Sequence, residues 1–350
     1  NFFTLVFFYV LSIPVIYPMI ILRNDGESRW AGRMYFLSTF LPAMGLACPT
    51  VFLSFPAFAP FDQFTIQSLG YGPTHASLIL GLLIIGFSKN CVAPFHMWLP
   101  YSAVAPTPVT ALIHSVASVQ TATIALLKIT SQVYGDGYLA SLNDHFLETG
   151  WITYLCGGTA IYTAYRAWKT PDLKKRFSYS TVGQLSYIIT ATLVGTRQTT
   201  LGAVLHLVTH SFAKLNLFFC AGIFMSVFDT VQAPGVAARI PGKRWLGIAA
   251  TISGLSITGF PLLAGYYSKD LMLIEELHRH HYAAAFFLVG GSLINLVYIF
   301  PLIRASFSPR LPTTPQSRPV PFAMAAAVVI CTLSIVTFSQ YVYVIMRMFE

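Results

Sequence analysis

Long runs of apolar residues alternate with short polar stretches along the whole chain. A membrane span needs about 20 mostly apolar residues, and such runs occur at 2–22, 34–55, 77–98, 108–132, 150–166, 177–196, 201–226, 245–281 (interrupted), 283–303 and 320–346. The runs are continuously apolar and do not alternate with polar residues, so they predict helices and not membrane-spanning strands. The pattern therefore predicts an all-α polytopic membrane protein with about ten transmembrane helices.

Composition supports a membrane protein and excludes other classes. Of the 350 residues, 55% are hydrophobic and 9% are charged, whereas a soluble domain carries about 25% charged residues. An ordinary soluble enzyme and a disordered protein are therefore excluded. The net charge of +9 comes from 21 basic and 12 acidic residues spread thinly along the chain, which argues against a nucleic-acid partner.

Basic residues in the loops indicate the orientation. If successive loops alternate between two sides, with 23–33 on side A, then side B and the C-terminus receive only Arg197 and Arg347. Side A receives Arg23, Arg29, Arg33, Arg166, Lys169, Lys174, Lys175, Arg176, Arg239, Lys243, Arg244, Arg304, Arg310 and Arg318. Because basic loops stay on the cytoplasmic side, side A is predicted to be cytoplasmic, or its matrix or stroma equivalent. The acidic Asp62, Asp136, Asp144 and Glu148 fall on side B.

Five basic residues remain inside the predicted spans, at Lys89, Lys128, Lys214, Lys269 and Arg279. Ionisable groups at bilayer depth are costly and mark ion or proton paths by default. Lys128 is close to a helix end, from which a lysine can snorkel to the surface. Arg279 lies in the polar stretch 275–281, which favours a solvated helix end. The other three lysines are the candidates for a transport path.

The strongest candidate pattern is His206, His210 and Lys214. Four-residue spacing places them on one helical face, about one turn apart, as a proton relay requires. A buried polar stripe between helices is an alternative, but it leaves the lysine charge unexplained. A zinc site on the two histidines is a weaker alternative, since no Glu lies between them and no third ligand is near.

Prolines accompany the other two lysines. Lys89 precedes Pro94, and the prolines at 100, 106 and 108 follow. Lys269 lies in the segment 259–270, eight residues after Pro261. Proline breaks a helix, and broken helices beside a charge are typical of transporter sites. Two such breaks suggest an internal duplication.

Several motifs occur in a characteristic order: PFHMWLP at 94–100, APTPVTALIH at 105–114, DLKK at 172–175, YSTVGQLSY at 179–187, HxxxHxxxK at 206–214 and GFPLLAGYYSKD at 259–270. Together they resemble the antiporter-like proton-translocating subunits of respiratory complex I. The same family includes the large subunits of Mrp-type cation/proton antiporters and of membrane-bound hydrogenases. The resemblance runs from about the family's fifth helix to its fourteenth. With no initiator Met, the chain is expected to be an internal or trimmed part that lacks the first four helices.

The resemblance implies two inverted five-helix repeats with discontinuous helices. Residues 1–132 would be the first repeat (family helices 5–8), 150–303 the second, and 304–350 a loop and a C-terminal transmembrane helix. The proton-carrying lysines would be Lys89, Lys214 and Lys269, and the relay residues His114, His206 and His210. The helix breaks would lie at Pro94, Pro106, Pro108 and Pro261.

Two departures from the family pattern remove charge from the first repeat. Val10, in the run Phe-Phe-Tyr-Val at 7–10, stands where members usually carry a glutamate. Gln120 stands where many members carry a lysine. We therefore expect the first half-channel to be altered or idle, and the second half to carry the proton route.

The resemblance implies proton translocation by a membrane subunit of a redox-driven pump of the NADH:quinone oxidoreductase type. Partners would be other membrane subunits, and the location an energy-transducing membrane: bacterial inner, mitochondrial inner or thylakoid. No cysteine cluster or nucleotide-binding loop occurs, so FMN, iron–sulfur clusters and quinone are expected in partner subunits. Two alternatives stay open: a subunit of a Mrp-type sodium/proton antiporter without redox chemistry, and a structural remnant that no longer conducts.

Overall fold

The computed structural model describes residues 1–142, 150–228, 244–307 and 319–349. Within these ranges the chain is helical and forms no strand. Six helical segments there are long and apolar enough to cross a membrane: Phe2–Arg23, Gly26–Ser54, Thr107–Tyr134, Arg197–Ser226, Tyr282–Arg304 and Phe322–Val342. The predicted all-α membrane fold is confirmed, while the number of ten crossings stays a prediction.

The first part of the chain consists of short helices joined by tight turns. These are α1 (Phe2–Ile20), α2 (Gly26–Pro42), α3 (Cys48–Ser54), α4 (Pro73–Gly86), α5 (Trp98–Ser102), α6 (Thr107–Ser115), α7 (Ser118–Lys128) and α8 (Asp136–Ser141). The π-helical segments Ala43–Ala47 and Ile129–Tyr134 extend α2 into α3 and continue α7. The second part has longer helices: α9 (Trp151–Lys169), α10 (Leu173–Leu193), α11 (Arg197–Phe228), α12 (Arg244–Thr258), α13 (Ala264–His278), α14 (Tyr282–Phe307) and α15 (Phe322–Phe349).

Local chemistry fixes where α2 begins. The Asp25 carboxylate accepts a hydrogen bond from the Ser28 amide at 2.7 Å, and the Asp25 amide donates to the Ser28 hydroxyl at 3.1 Å. This reciprocal pair satisfies amides that a helix N-terminus leaves free. The hydrogen bonds from Ser28 also hold the pKa of Asp25 below its ordinary value, because they stabilise the charged carboxylate.

Two interruptions divide helices near lysines. Between α4 and α5 the chain forms a 3₁₀ turn at Ser88–Asn90, and Cys91 is left-handed with φ 64°. Pro94 lies in this interruption. Pro261 lies in the second one, between α12 and α13.

The other two prolines that were expected to break helices lie at the start of α6. Pro106 is the residue before this helix. Pro108 is inside its first turn, a position where proline fits because no hydrogen bond is lost there. Pro108 therefore belongs to the beginning of a helix and does not interrupt one.

Helices α10 and α11 lie at the centre of the helix bundle. Every residue of α10 from Phe177 to Leu193 is buried. Helix α11 is unbroken over 32 residues and packs against α6, α10, α12, α13 and α15. At 1.5 Å per residue α11 is about 48 Å long, longer than the roughly 30 Å hydrocarbon core. These two helices therefore form a central pair around which the other helices pack.

Contacts between loops agree with the predicted alternation of sides. At one end Lys175 pairs with Glu27 at 3.5 Å, and Arg23 donates to the Val104 carbonyl at 3.3 Å. At the other end the Thr200 hydroxyl lies 3.4 Å from the Asp136 carboxylate. The side-A end is thus defined by Arg23, Glu27, Val104 and Lys175. Among the other loop charges, Arg239, Lys243, Arg310, Arg318, Asp144 and Glu148 lie outside the described residues.

Candidate functional site

Helix α11 presents His206, His210 and Lys214 inside the protein. All three side chains are buried, with at most 1% of their surface exposed. Their spacing of four residues places them about one turn apart on the same face. The Lys214 ammonium donates to the Phe177 carbonyl of α10 at 3.0 Å. The face that the sequence predicts as polar therefore lies in the protein interior against α10.

His206 joins three helices. Its Nε2 lies 2.9 Å from the side-chain oxygen of Gln184 on α10, and its Nδ1 lies 3.0 Å from the Ser268 hydroxyl on α13. Because the amide oxygen only accepts, Nε2 carries a hydrogen. In the neutral ring Nδ1 then accepts from Ser268. The Ser268 hydroxyl also lies 3.2 Å from the Gly265 carbonyl, an alternative acceptor for its single hydrogen.

Lys269 is the neighbour of Ser268 in α13. Its ammonium donates to the Ser292 hydroxyl at 2.8 Å and lies 5.3 Å from the centre of the Tyr187 ring. It borders a cavity of about 280 Å³. Gly259, with φ 87°, lies beside it, and a side-chain carbon on this glycine would come within 3.1 Å of the Lys269 chain. The second interruption thus leaves room for the lysine.

Buried polar atoms without protein partners follow the same line. Within the described parts of the chain, both ring nitrogens of His210, Nδ1 of His114 and the amide nitrogen of Gln184 have no hydrogen-bond partner. The other nitrogen of His114 lies 3.3 Å from each of the Ser102 and Ser178 hydroxyls. Orphaned buried polar atoms are normally satisfied by ordered water. The line from His114 to His206 is therefore suited to hold water.

Lys89 lies in the first half and is fully buried. Its ammonium donates to the Ser12 hydroxyl and to the Tyr9 carbonyl, the latter at 3.4 Å, and lies 4.7 Å from the centre of the Tyr9 ring. The Lys89 amide donates to the Tyr9 hydroxyl at 3.1 Å. Among the described residues, none of the three ion pairs includes this lysine. Its surroundings are therefore polar but uncharged.

Tyr9 and Val10, which are neighbours in α1, face different surroundings. Val10 lies in an outward-facing apolar groove with Val6, Leu11 and Pro14, while Tyr9 packs against Lys89. One residue along a helix rotates the side chain by about 100°. Tyr9 is therefore the residue of this helix turn that contacts Lys89, and Val10 faces the groove.

Gln120 connects the two halves. Its amide nitrogen donates to the Ser115 carbonyl at 2.7 Å and to the Ser211 hydroxyl on α11. Ser211 is the chain neighbour of His210. At this junction the chain thus carries a neutral amide where a lysine was expected from the family pattern.

Two buried charges were missed by the sequence interpretation. Lys174 was counted among the loop cations, yet only 4% of its surface is exposed, and its ammonium donates to the Ala105 carbonyl at 2.6 Å. Glu276 was placed in a solvated helix end, yet it is 1% exposed, and neither carboxylate oxygen has a hydrogen-bond partner among the residues that the structure describes. Burial depends on packing by other helices, so no local sequence signal identified either residue.

The remaining expectations concern exposed cations and metals. Lys128 is exposed, and its ammonium lies 5.6 Å from the Phe61 ring centre, as suits a lysine reaching toward a surface. Arg279 pairs with Glu275 at 3.3 Å at an exposed helix end. Within the described residues no group of three or more His, Cys, Asp or Glu side chains could hold a metal ion.

A comparison with protein-family models gives a match over residues 1–295, to the family described as NADH:quinone oxidoreductase/Mrp antiporter, transmembrane. The chain belongs to this family. The resemblance inferred from the ordered motifs is confirmed. Membership also establishes the chain as an integral membrane protein, in agreement with its long apolar helices.

Curated relatives of the family are longer than this chain. It is 30% identical to NADH-ubiquinone oxidoreductase chain 5 of Mus musculus over 262 residues, which are 71% of this chain and 40% of the relative. It is 31% identical to NADH-quinone oxidoreductase subunit L of Campylobacter jejuni over 291 residues, 81% of this chain and 46% of the relative. The chain therefore spans less than half the length of these two relatives.

Solved structures share the fold. A chain of the membrane-bound sulfane sulfur reductase, an archaeal respiratory membrane complex, matches with a TM-score of 0.80 and 19% identity, covering 97% of this chain and 69% of its own. A chain of the Mrp complex from Dietzia sp. DQ12-45-1b matches with a TM-score of 0.78 and 16% identity, covering 92% of this chain and 67% of its own. A chain of Thermus thermophilus respiratory complex I matches with a TM-score of 0.73 and 24% identity, covering 95% of this chain and 71% of its own. The antiporter-like family fold is thus present across the described chain.

Proposed function

We propose that the chain translocates protons across an energy-transducing membrane as a membrane subunit of a complex I-like, redox-driven pump. The observation that carries the proposal is the buried line of Lys214, His210, His206 and Lys269. Amines and imidazoles in a membrane interior are costly and are retained for function. Each member of the line can bind and release a proton.

The line runs from the middle of the bundle toward side A. Helix α11 begins at side B and carries His206, His210 and Lys214 at successive turns toward side A. Ser268 and Lys269 continue the line on α13. The direct contacts at His206 and the orphaned nitrogens of His210 support transfer partly through protein groups and partly through water.

Ser268 can form a hydrogen bond with Nδ1 of His206 whether the ring is neutral or protonated. When the ring is neutral, Nδ1 accepts the hydroxyl hydrogen of Ser268. When the ring is protonated, Nδ1 donates to Ser268, and the hydroxyl turns its hydrogen to the Gly265 carbonyl 3.2 Å away. Neither state leaves a buried donor unpaired, so the ring can accept and release a proton without a large structural change.

The second repeat, 150–303, supplies most of this route. The first repeat, 1–132, supplies Lys89, whose surroundings are uncharged, and His114, which borders α10. Ser339 in the segment 304–350 accepts a hydrogen bond from the Ala264 amide at 2.7 Å. The C-terminal helix α15 thereby caps the start of α13, close to Lys269.

The chemistry of the line favours protons over sodium. Na⁺ is a hard cation and requires oxygen ligands, whereas the line consists of amines and imidazoles. FMN, iron–sulfur clusters and quinone belong to partner subunits in this proposal. A subunit of a Mrp-type antiporter is the second candidate, supported by the structural match to a Mrp complex chain. A remnant without transport is less consistent with the four buried lysines Lys89, Lys174, Lys214 and Lys269.

The test uses the natural complex that contains the chain, purified in mild detergent and reconstituted in vesicles. Lys214→Ala should lower the proton-transport rate at least tenfold, while Lys128→Ala, which changes an exposed lysine, should leave it within twofold. An unchanged rate in Lys214→Ala contradicts the proposal. Flavin or iron–sulfur subunits in the purified complex select the redox pump, and sodium-driven proton movement without them selects the antiporter.

A further inference from the structure

We infer that Lys174 is the residue that passes protons from the side-A surface into the buried line. The inference rests on the proposed function and adds the access point at its side-A end. Lys174 lies in the first turn of α10, next to Lys175, whose ion pair with Glu27 marks the side-A surface.

The adjacent residues Lys174 and Lys175 differ in solvent exposure and in their contacts. The Lys175 side chain is 41% exposed and forms a surface ion pair, which contributes little to stability. Lys174 is 4% exposed, and the hydrogen bond to the Ala105 carbonyl is the one found for its ammonium among the described residues. Lysine is almost never buried without a paired charge. A structural role alone leaves the buried amine unexplained.

Polar groups follow Lys174 along α10 toward the interior. Ser178 lies one helical turn further along; its hydroxyl donates to the main-chain carbonyl of Lys174 at 2.7 Å and lies 3.3 Å from Nε2 of His114. The Ser102 hydroxyl lies 3.3 Å from the same ring nitrogen. Hydroxyl groups both donate and accept, so these serines suit proton transfer beside the ring.

His114 is the junction between the access residue and the line. Its Nε2 lies 3.3 Å from the hydroxyl of Ser178, one turn from Lys174 on α10, and its ring centre lies 4.7 Å from that of Phe218, one turn from Lys214 on α11. The ring therefore lies between the helical turns that follow the two lysines. Its second nitrogen, Nδ1, is buried and has no partner in the described ranges of the chain. A water molecule at this nitrogen would continue the path toward Lys214.

The order of transfer is therefore Lys174, His114 and Lys214. In each step one N–H or O–H bond breaks and another forms, so water is the only additional reactant. A proton enters at the side-A surface and leaves the ammonium of Lys174 inward. Lys174 exchanges the transported proton itself and does not merely position another group.

A purely structural clamp is the competing interpretation. Arg23 donates to the Val104 carbonyl at 3.3 Å, beside the Ala105 carbonyl that Lys174 contacts, so both cations could simply hold the turn before α6. Arginine at 174 retains the positive charge and the donors, but a guanidinium does not release its proton in proteins. Lys174→Arg therefore separates the two roles.

The experiment compares Lys174→Arg, Lys174→Gln and the matched control Lys175→Gln in the reconstituted natural complex. We expect both position-174 variants to lose at least tenfold in the initial proton-transport rate and Lys175→Gln to stay within twofold. Subunit content, measured on the same preparations, should match the unmodified complex for Lys174→Arg. If the complex with Lys174→Gln fails to assemble, the proton-transport rate of Lys174→Arg alone tests the inference.

Two results overturn the inference. One is a normal rate in Lys174→Arg, which would make the residue a clamp, and the other is an equal loss in Lys175→Gln, which would indicate a general charge effect. Lys214→Ala, assayed in parallel, identifies which idea has failed. If Lys214→Ala stops transport and Lys174→Arg does not, only the access role is lost. If Lys214→Ala also transports normally, the proposed function fails.

Discussion

The side-chain oxygen of Gln184 lies 2.9 Å from Nε2 of His206, which joins α10 to α11. Gln184 is 12 residues past Asp172, about 18 Å from the side-A end of α10, and His206 is about 14 Å from the opposite end of α11. The two distances from opposite helix ends add up to about the thickness of the hydrocarbon core, which is roughly 30 Å. The contact therefore lies near the middle of the membrane.

Gln184→Leu should lower the proton-transport rate about tenfold, because His206 loses the acceptor that fixes which nitrogen carries the hydrogen. The initial rate in vesicles containing the reconstituted complex measures this effect. Gln198→Leu is the matched control, since Gln198 is exposed at the start of α11, and it should keep the normal rate. Equal rates in the two variants would show that the Gln184 contact is not needed for transport.

Lys89→Met should lower the same rate less than threefold, whereas Lys214→Met should lower it more than tenfold. Methionine fills a similar volume in each case, so the comparison isolates the amine. The expected difference follows from the surroundings, because the Lys89 ammonium contacts uncharged groups among the described residues: the Tyr9 carbonyl, the Tyr9 ring and the Ser12 hydroxyl. A loss in Lys89→Met as large as in Lys214→Met would assign an essential proton step to the first half.

Glu276→Leu should make the complex more resistant to heat. A buried polar group without a partner costs about 1–3 kcal/mol, and leucine removes that cost at a similar volume. The fraction of intact complex after heating, followed by size-exclusion chromatography, measures the change. Glu275→Leu, which breaks the ion pair with Arg279, should give no such gain. Reduced heat resistance in Glu276→Leu would show that this carboxylate has a stabilising partner.

Gly157→Ala should destabilise the packing of α9 against α14, because its new methyl group would overlap the Phe287 ring. Overpacking of this kind costs about 1–3 kcal/mol. Gly158→Ala, one residue further along α9, meets nothing within 4 Å and should be neutral or slightly stabilising. The same heating assay compares them, and equal behaviour of the two variants would contradict the close packing at Phe287.

Local regularities were predictable from the sequence, and the environment of each residue was not. The four-residue spacing of His206, His210 and Lys214 predicts a shared face because helix geometry is local, and the structure places them on one. Lys174 and Glu276 escaped prediction because helices distant in sequence bury them. The contact of Tyr9 with Lys89 was not predicted, since motif comparison gives a position along the chain while one step in a helix changes the direction of a side chain.

If protons follow the proposed route, the unbroken course of α11 makes their transfer depend on the transmembrane voltage. His206 and Lys214 are eight residues apart, about 12 Å along the helix axis. For a helix aligned with the membrane normal, a proton moving between them passes through roughly two fifths of the electrical drop, worth about 0.9 kcal/mol at 100 mV. The membrane potential can thereby drive or oppose this passage, and the turnover of the complex should vary steeply with voltage.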